Sequence, residues 1–138
     1  MTIRILLVDD NTVFLTAVRK FLVVLSYVEV VGEAHGGRQA LELATQLQPD
    51  LVLLDIAMPD LNGLDVAKAM ATFLLPPRII FLSMHDEPSY RAAAKQLGAI
   101  GYVGKGDFVS DLLPLLDGLS EVTSGHAVGG NFEPGSDR

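Results

Sequence analysis

The sequence has no cysteine, no long apolar run and fewer basic than acidic residues. The absence of cysteine excludes disulfide bonds and thiolate metal sites. The apolar stretches are much shorter than the about 20 residues that a membrane helix needs, so we expect no membrane association. Ten basic against seventeen acidic residues give a net charge of −7. This charge disfavours direct binding to nucleic acid, which requires cationic groups to neutralise phosphates.

Length and composition predict one domain. The 138 residues suffice for an ordinary domain, and 49% of them are hydrophobic, enough for a sizeable core. Residues 1–4 enter an apolar run without the layout of a signal peptide, so a cytoplasmic protein is expected. From residue 120 onward the chain becomes rich in Gly, Ser and polar residues. We predict a domain over residues 1–119 and a flexible C-terminal tail or truncated linker over residues 120–138.

Five short apolar runs bounded by polar or turn residues predict buried parallel strands. The segments between them carry apolar residues at helical spacing, as in Phe14, Ala17, Val18 and Phe21. Such alternation is typical of βαβ units with right-handed crossovers. We therefore predict an α/β three-layer sandwich, with a five-stranded parallel sheet and five helices. The predicted strands cover residues 3–8, 28–34, 51–54, 79–82 and 101–104, and the last two helices lie near 87–97 and 109–119.

Four of the predicted strands end in isolated polar side chains. Asp9 and Asp10 follow the first strand, Asp55 the third, Ser83 the fourth and Lys105 the fifth. In an open parallel sheet, ligands bind in the crevice outside the carboxyl ends of the strands. Neighbouring carboxylates repel each other unless one is protonated or a cation lies among them, and Mg²⁺ prefers carboxylate oxygens together with water and phosphate. The pattern predicts a phosphoryl-transfer site around a divalent metal, with Asp55 as the nucleophile.

Each of these residues also has a simpler interpretation. An aspartate before a helix, such as Asp10, is often only an N-cap. Ser83 alone would be a loop hydroxyl, and Lys105 alone a solvated surface charge. The glycines around Lys105 superficially resemble a nucleotide-binding loop. Its first glycine is replaced by Ala99 and its final hydroxyl residue by Gly106, so a P-loop is rejected.

In combination, these motifs resemble the receiver domain of two-component response regulators over about residues 2–119. The matching positions are Asp9-Asp10, Asp55-x-x-Met58-Pro59-x-x-x-Gly63, Ser83, Gly98-Ala99-x-Gly101-Tyr102 and Lys105. The resemblance implies a flavodoxin-like, CheY-like fold with strand order 2-1-3-4-5. Residues 83–87 are similar to the NarL/FixJ subfamily, whose members carry LuxR-type DNA-binding domains. A role in transcription regulation is therefore expected.

The resemblance also implies roles for the carboxylates. Asp55 would accept a phosphoryl group from a sensor histidine kinase or a small phosphodonor. Asp10, Asp55 and the backbone carbonyl of Ala57 would bind Mg²⁺, or Mn²⁺ in its place. Asp9 would act through a metal-bound water.

The remaining site residues would bind the phosphoryl group and report its presence. Lys105 and Ser83 would grip its oxygens, and Tyr102 would follow Ser83 inward and remodel the face made by the fourth helix, fifth strand and fifth helix. Partners, or a second protomer after phosphorylation, would dock on that face. DNA would be bound only through an output domain absent from this chain. The positions expected to tune the phosphoryl lifetime are Ala57, Met84 and His85.

Three positions depart from the family pattern. Met84 stands where a small residue is usual, and Gly106 where many members have a proline that aims the lysine. Pro114 falls inside the pattern of the last helix. It should either kink that helix or shift the start of the helix to a later residue.

Two alternative functions remain open beside the signalling switch, which would not be a turnover enzyme. A phosphorylation-independent interaction module would keep the fold without using the site. An aspartyl-phosphate phosphatase of the haloacid-dehalogenase type needs a second aspartate two residues after the nucleophile. This chain has Ala57 there, which argues against a phosphatase.

Overall fold

The structure is a computed structural model that describes residues 2–125, so residues 126–138 of the predicted tail lie outside the described part. Strands and helices alternate along the described chain. They are β1 (Ile3–Val8), α1 (Thr12–Leu22), β2 (Val28–Ala34), α2 (Gly37–Leu47), β3 (Leu51–Asp55), α3 (Gly63–Met70), β4 (Arg78–Ser83), α4 (Pro88–Gln96), β5 (Gly101–Gly104) and α5 (Phe108–Gly125). Within residues 2–125, no helix is long and apolar enough to cross a membrane.

The five strands form one parallel sheet in the order β2-β1-β3-β4-β5. The predicted fold class and strand order are therefore confirmed. β3 and β4 are each one or two residues longer than predicted, because Asp55, Arg78 and Ser83 also take part in strand pairing. The two polar side chains at the upper ends, Asp55 and Ser83, are thus fixed by the sheet itself.

Two apolar layers cover the sheet, one on each face. Alternate residues of β1 enter different layers. Leu6 and Val8 pack with buried residues of α2, α3 and α4, while Ile5 and Leu7 pack with buried residues of α1 and α5. Because side chains of a strand alternate between faces, a sheet buried on both sides needs apolar residues at nearly every position. This is why the central strands read as continuous apolar runs.

The fifth helix is longer than predicted. It covers Phe108–Gly125, so residues 120–125, which the sequence assigned to a flexible tail or truncated linker, continue the helix. Residues 120–124 contain neither glycine nor proline, and each residue added to an existing helix gains a hydrogen bond. The helix starts at Phe108, directly after a short 3₁₀ turn at Lys105–Asp107, so Pro114 lies inside the helix and does not delay its start.

Candidate functional site

The register of the sheet brings four strand ends into one row. Val8 pairs with Leu54, Asp55 with Leu82, and Ser83 with Gly104. Asp9, Asp55, Ser83 and Lys105 therefore emerge side by side at the carboxyl edge of β1, β3, β4 and β5. The structure brings together the residues that the sequence placed at this edge.

Three carboxylates form the centre of the site. Asp9, Asp10 and Asp55 each offer an oxygen, and these oxygens all lie within 4.8 Å of one another. Asp9 is fully buried and Asp55 is 3% exposed, whereas Asp10 is open to solvent. Two of the three charges are thus removed from water, where their repulsion is large unless a cation balances it.

Lys105 supplies one balancing charge. Its ammonium nitrogen lies 2.6 Å from Asp9 Oδ2 and 3.4 Å from Asp55 Oδ1, and its side chain is 7% exposed. The nitrogen also lies 5.0 Å from the centre of the Phe14 ring, a distance at which a cation is attracted to an aromatic face. The lysine thus reaches both carboxylates with Gly106, rather than proline, as the next residue.

Lys105 alone does not remove the repulsion between the two buried carboxylates. Apart from Lys105, no donor among the described residues bonds Asp9 Oδ2. Burial raises the pKa of Asp55 from 3.8 to about 7, with a further contribution from the charge of Asp9 and a smaller opposing one from Lys105. A buried carboxylate with so high a pKa favours either a proton or an additional cation.

The turn after β1 separates the roles of its polar residues. The Asn11 side chain accepts a hydrogen bond from the backbone N–H of Phe14 at 3.1 Å, and Asn11 is the N-cap of α1. Asp9 Oδ1 accepts the Asn11 N–H at 2.9 Å, which fixes its carboxylate. The N-cap interpretation of Asp10 is therefore wrong, and its exposed carboxylate is available at the mouth of the site.

The loop between β3 and α3 lies close against the Asp55 backbone. The N–H of Gly63 donates to the carbonyl of Ile56 at 2.7 Å, and a Cβ at position 63 would lie 2.2 Å from the carbonyl oxygen of Asp55. Only glycine fits this approach. The Ala57 N–H donates to Asp55 Oδ1 at 3.3 Å, so the start of the loop is tied to the central carboxylate.

Ser83 and Tyr102 share one acceptor. The Ser83 hydroxyl donates to the backbone carbonyl of His85 at 2.6 Å, and the Tyr102 hydroxyl donates to the same carbonyl at 3.1 Å. Ser83 is buried, and its hydroxyl oxygen also accepts the His85 N–H at 3.2 Å. A displacement of Ser83 therefore changes the bonding of the carbonyl that holds Tyr102.

The cleft above these residues has a volume of about 310 Å³. Asp10, Asp55, Ser83 and Lys105 line it together with Met84, His85 and Ala57 of the predicted set. Met84 is 70% exposed. Its side chain stands at the rim and does not fill the centre of the site.

Sequence reasoning missed three participants. Phe14 was assigned to the apolar face of α1, and its contact with Lys105 is visible only in three dimensions. The Arg91 guanidinium lies 4.6 Å from the centre of the Tyr102 ring and pairs with Asp86. Asp60, in the β3–α3 loop, accepts hydrogen bonds from the start of α2. The one available signal was for Asp60, because α2 begins at a glycine pair that supplies no side-chain cap.

The donor set fits a divalent metal. Three carboxylates converge, a single lysine faces the two buried ones, and burial together with the charge of Asp9 raises the pKa of Asp55. Hard cations such as Mg²⁺ take oxygen ligands and keep several waters, which suits a site open to solvent on one side. Asp9, Asp10 and Asp55 are the carboxylates that could hold such an ion.

Comparisons with known proteins show the family to which the chain belongs. The chain matches the response regulator receiver domain over residues 5–116. The transcriptional regulatory protein NarL of Mycobacterium tuberculosis is 41% identical over 103 residues, which cover 75% of this chain and 48% of that protein. The nitrate/nitrite response regulator NarL of Escherichia coli is 38% identical over 112 residues, covering 81% and 52%. The chain thus spans about half the length of these curated relatives.

A solved structure shows the same fold. The signal receiver domain of NarL from Mycobacterium tuberculosis aligns with a TM-score of 0.79 at 35% identity, covering 87% of this chain and 97% of that one. The matched range includes every strand end of the site. The chain belongs to the response regulator receiver domains, a family of signalling domains, and is related to the NarL-type transcriptional regulators.

Proposed function

We propose that this chain is the phosphoacceptor switch of a two-component system and that Asp55 carries the phosphoryl group. One observation supports this assignment above the others. Asp55 is a buried carboxylate with Lys105 at 3.4 Å, and it borders a solvent-open cleft. An ammonium group beside a buried carboxylate can neutralise a phosphoryl group that joins it.

The transfer step would use Asp55 as the nucleophile and an external phosphodonor, with Mg²⁺ bound at the acidic cluster. A carboxylate oxygen of Asp55 attacks the phosphorus of a phosphohistidine or of phosphoramidate. The phosphorus–nitrogen bond breaks, its electron pair leaves with the nitrogen, and that nitrogen takes a proton. The product is an acyl phosphate on Asp55. Attack of water on phosphorus later restores the carboxylate and releases inorganic phosphate. The same site would assist this dephosphorylation.

Receiver domains generally bind Mg²⁺ at an acidic cluster, and Asp9, Asp10 and Asp55 form such a cluster here. Asp10, Asp55 and the Ala57 carbonyl would hold the ion, with Asp9 acting through a bound water; Mn²⁺ could replace Mg²⁺. When bound, the metal supplies positive charge that offsets the charge of the transferring group. Lys105 and the Ser83 hydroxyl bind the remaining phosphoryl oxygens.

The signal leaves the site through the shared carbonyl of His85. When Ser83 turns to a phosphoryl oxygen, it gives up its hydrogen bond to that carbonyl, and the bond from Tyr102 is free to strengthen or shift. A nearly complete population switch needs roughly 5.5 kcal/mol of differential stabilisation. Charge-assisted bonds from Ser83 and Lys105, each worth about 1.5–3 kcal/mol, reach that order together. The affected surface is the face of α4, β5 and α5.

The partners follow from the relatives. A sensor histidine kinase would supply the phosphoryl group, and a DNA-binding domain beyond this chain would carry the output, as the names of transcriptional regulators among the relatives support. A homodimer through the face of α4, β5 and α5 would form on phosphorylation. The residues that tune the phosphoryl lifetime would be Ala57, Met84 and His85, all of which border the cleft.

The direct test is the intact mass of the protein after incubation with phosphoramidate and Mg²⁺. We expect wild type to gain one phosphoryl mass, Asp55→Asn to gain none, and the exposed control Asp65→Asn to behave as wild type. Absence of any gain would favour a phosphorylation-independent interaction module. Continuous release of phosphate from small phosphate esters would favour an aspartyl-phosphate phosphatase.

A further inference from the structure

The N-terminus of α2 is capped by a residue from a different part of the chain. α2 begins at Gly37, and its own N-cap residue, Gly36, has no side chain to bond the first free amides. The two carboxylate oxygens of Asp60 accept these amides instead, from Gly37 at 2.9 Å and from Arg38 at 3.1 Å. These hydrogen bonds hold the pKa of Asp60 below its usual value.

The packing around this contact is close. A Cβ at position 36 would lie 3.1 Å from both carboxylate oxygens of Asp60. A Cβ at position 37 would lie 2.6 Å from Leu61 Cβ and 2.8 Å from Val66 Cγ2. The glycine pair therefore allows the tip of the β3–α3 loop to lie directly on α2, with one charged and one apolar contact.

The same loop is closed at its base. Gly63 donates to the Ile56 carbonyl at 2.7 Å and lies against the Asp55 backbone. Asn62 caps α3 by accepting the Leu64 N–H at 2.7 Å. Between base and tip lies Ala57, whose N–H reaches Asp55 Oδ1 and whose carbonyl is a candidate metal ligand.

We propose that Asp60 is a positioning residue that clamps the β3–α3 loop to the start of α2 and so fixes the Ala57 peptide group beside Asp55 for cation binding. The inference rests on the proposed function, since it concerns the same metal site. Asp60 itself does not reach the site: it lies three residues beyond Ala57 and directs both oxygens at α2. Its effect is transmitted through the backbone of the loop.

A cap that merely stabilises α2 would behave differently from a clamp. Loss of a simple cap lowers helix stability and leaves the metal affinity of the folded protein unchanged. Loss of the clamp lowers the Mg²⁺ affinity of the folded protein as well, because residues that orient ligands from outside the coordination shell contribute about 10-fold or more to affinity.

The experiment combines two readouts on the full chain. Hydrogen exchange of the Gly37 and Arg38 amides, measured without Mg²⁺, reports the contact itself. Calorimetric titration with Mg²⁺ reports the site. We expect Asp60→Ala to accelerate exchange at both amides and to raise the Mg²⁺ Kd by about 10-fold. The control Asp65→Ala removes an exposed carboxylate on α3 and should change neither.

A second variant covers the case in which Asp60→Ala does not fold. Gly36→Ala keeps an extended backbone position, at φ −170°, and places a methyl group against the Asp60 oxygens. Like Asp60→Ala, it should raise the Kd for Mg²⁺. The clamp is overturned if folded Asp60→Ala has an unchanged Kd for Mg²⁺. The proposed function stays intact in that case, provided that wild type binds Mg²⁺ and gains a phosphoryl group from phosphoramidate. Failure of wild type to bind Mg²⁺ overturns both.

Discussion

Replacing Asp55 with asparagine should stabilise the metal-free protein, by more at pH 8 than at pH 5. Burial first, and the charge of Asp9 second, raise the pKa of Asp55 from 3.8 to about 7 in the folded state. The folded protein keeps a proton that the unfolded chain releases between these two values. The raised pKa therefore does not change the free energy of unfolding below pH 3.8. It lowers that free energy progressively as the pH rises, and the reduction is complete above pH 7.

The size of this cost follows from the two pKa values. With about 1.36 kcal/mol per pH unit, it amounts to roughly 2 kcal/mol at pH 5 and about 4 kcal/mol at pH 8. Asparagine has nearly the shape of the protonated acid and carries no charge. The Asp55→Asn variant should therefore exceed wild type in unfolding free energy by up to these amounts. The attraction of Lys105 at 3.4 Å is already included, because it lowers the pKa of Asp55.

Urea unfolding followed by far-ultraviolet circular dichroism, with a chelator present, measures both differences. Asp65→Asn is the matched control, since Asp65 is exposed and its ion pair with Lys68 spans 3.9 Å. Exposed pairs of this kind contribute about 1 kcal/mol or less. A stability gain for Asp55→Asn that is the same at pH 5 and pH 8, or a loss at pH 8, would refute the claim that burial and the charge of Asp9 raise the pKa of Asp55.

Three further outcomes follow from the same site. Mg²⁺ should raise the melting temperature of wild type at pH 8 but not that of Asp10→Asn, because ligand that binds only the folded state stabilises it; equal shifts in differential scanning fluorimetry would exclude Asp10 as a ligand. Lys105→Ala should lose about 3 kcal/mol in urea unfolding, because it strands the buried charge of Asp9; a loss near zero would show that Asp9 is otherwise compensated. Tyr102→Phe removes one hydrogen bond to His85 and should cost about 1 kcal/mol without preventing phosphoryl uptake in the intact-mass assay.

Much of the fold could be predicted because the central strands are buried on both faces. Residues such as Leu53 and Ile80 face one apolar layer and Val52 and Phe81 the other, so no polar residue interrupts the runs 51–54 and 79–82. The polar residues that end the runs then mark the carboxyl edge of the sheet. The length of α5 was harder to predict, since residues 120–124 look polar but contain nothing that stops a helix.

The site could be predicted at the level of its ionisable side chains and no further. The spacing of strand ends brings carboxylates, serine and lysine together, but it carries no information on backbone acceptors such as the His85 carbonyl. Contacts between distant segments are also invisible in the sequence. The pairing of Asp60 with α2 and the stacking of Arg91 on Tyr102 depend on how segments distant in the sequence pack in the folded chain.

The most direct test of the central claim is chemical localisation of the phosphoryl group. Borohydride reduces an acyl phosphate to an alcohol and converts a phosphorylated aspartate into homoserine. The protein would be incubated with phosphoramidate and Mg²⁺, reduced, digested and sequenced by mass spectrometry. We predict homoserine at position 55 only, and only when donor and Mg²⁺ are both present. Homoserine at position 9 or 10, or at no position, would contradict the assignment of Asp55 as the phosphoacceptor.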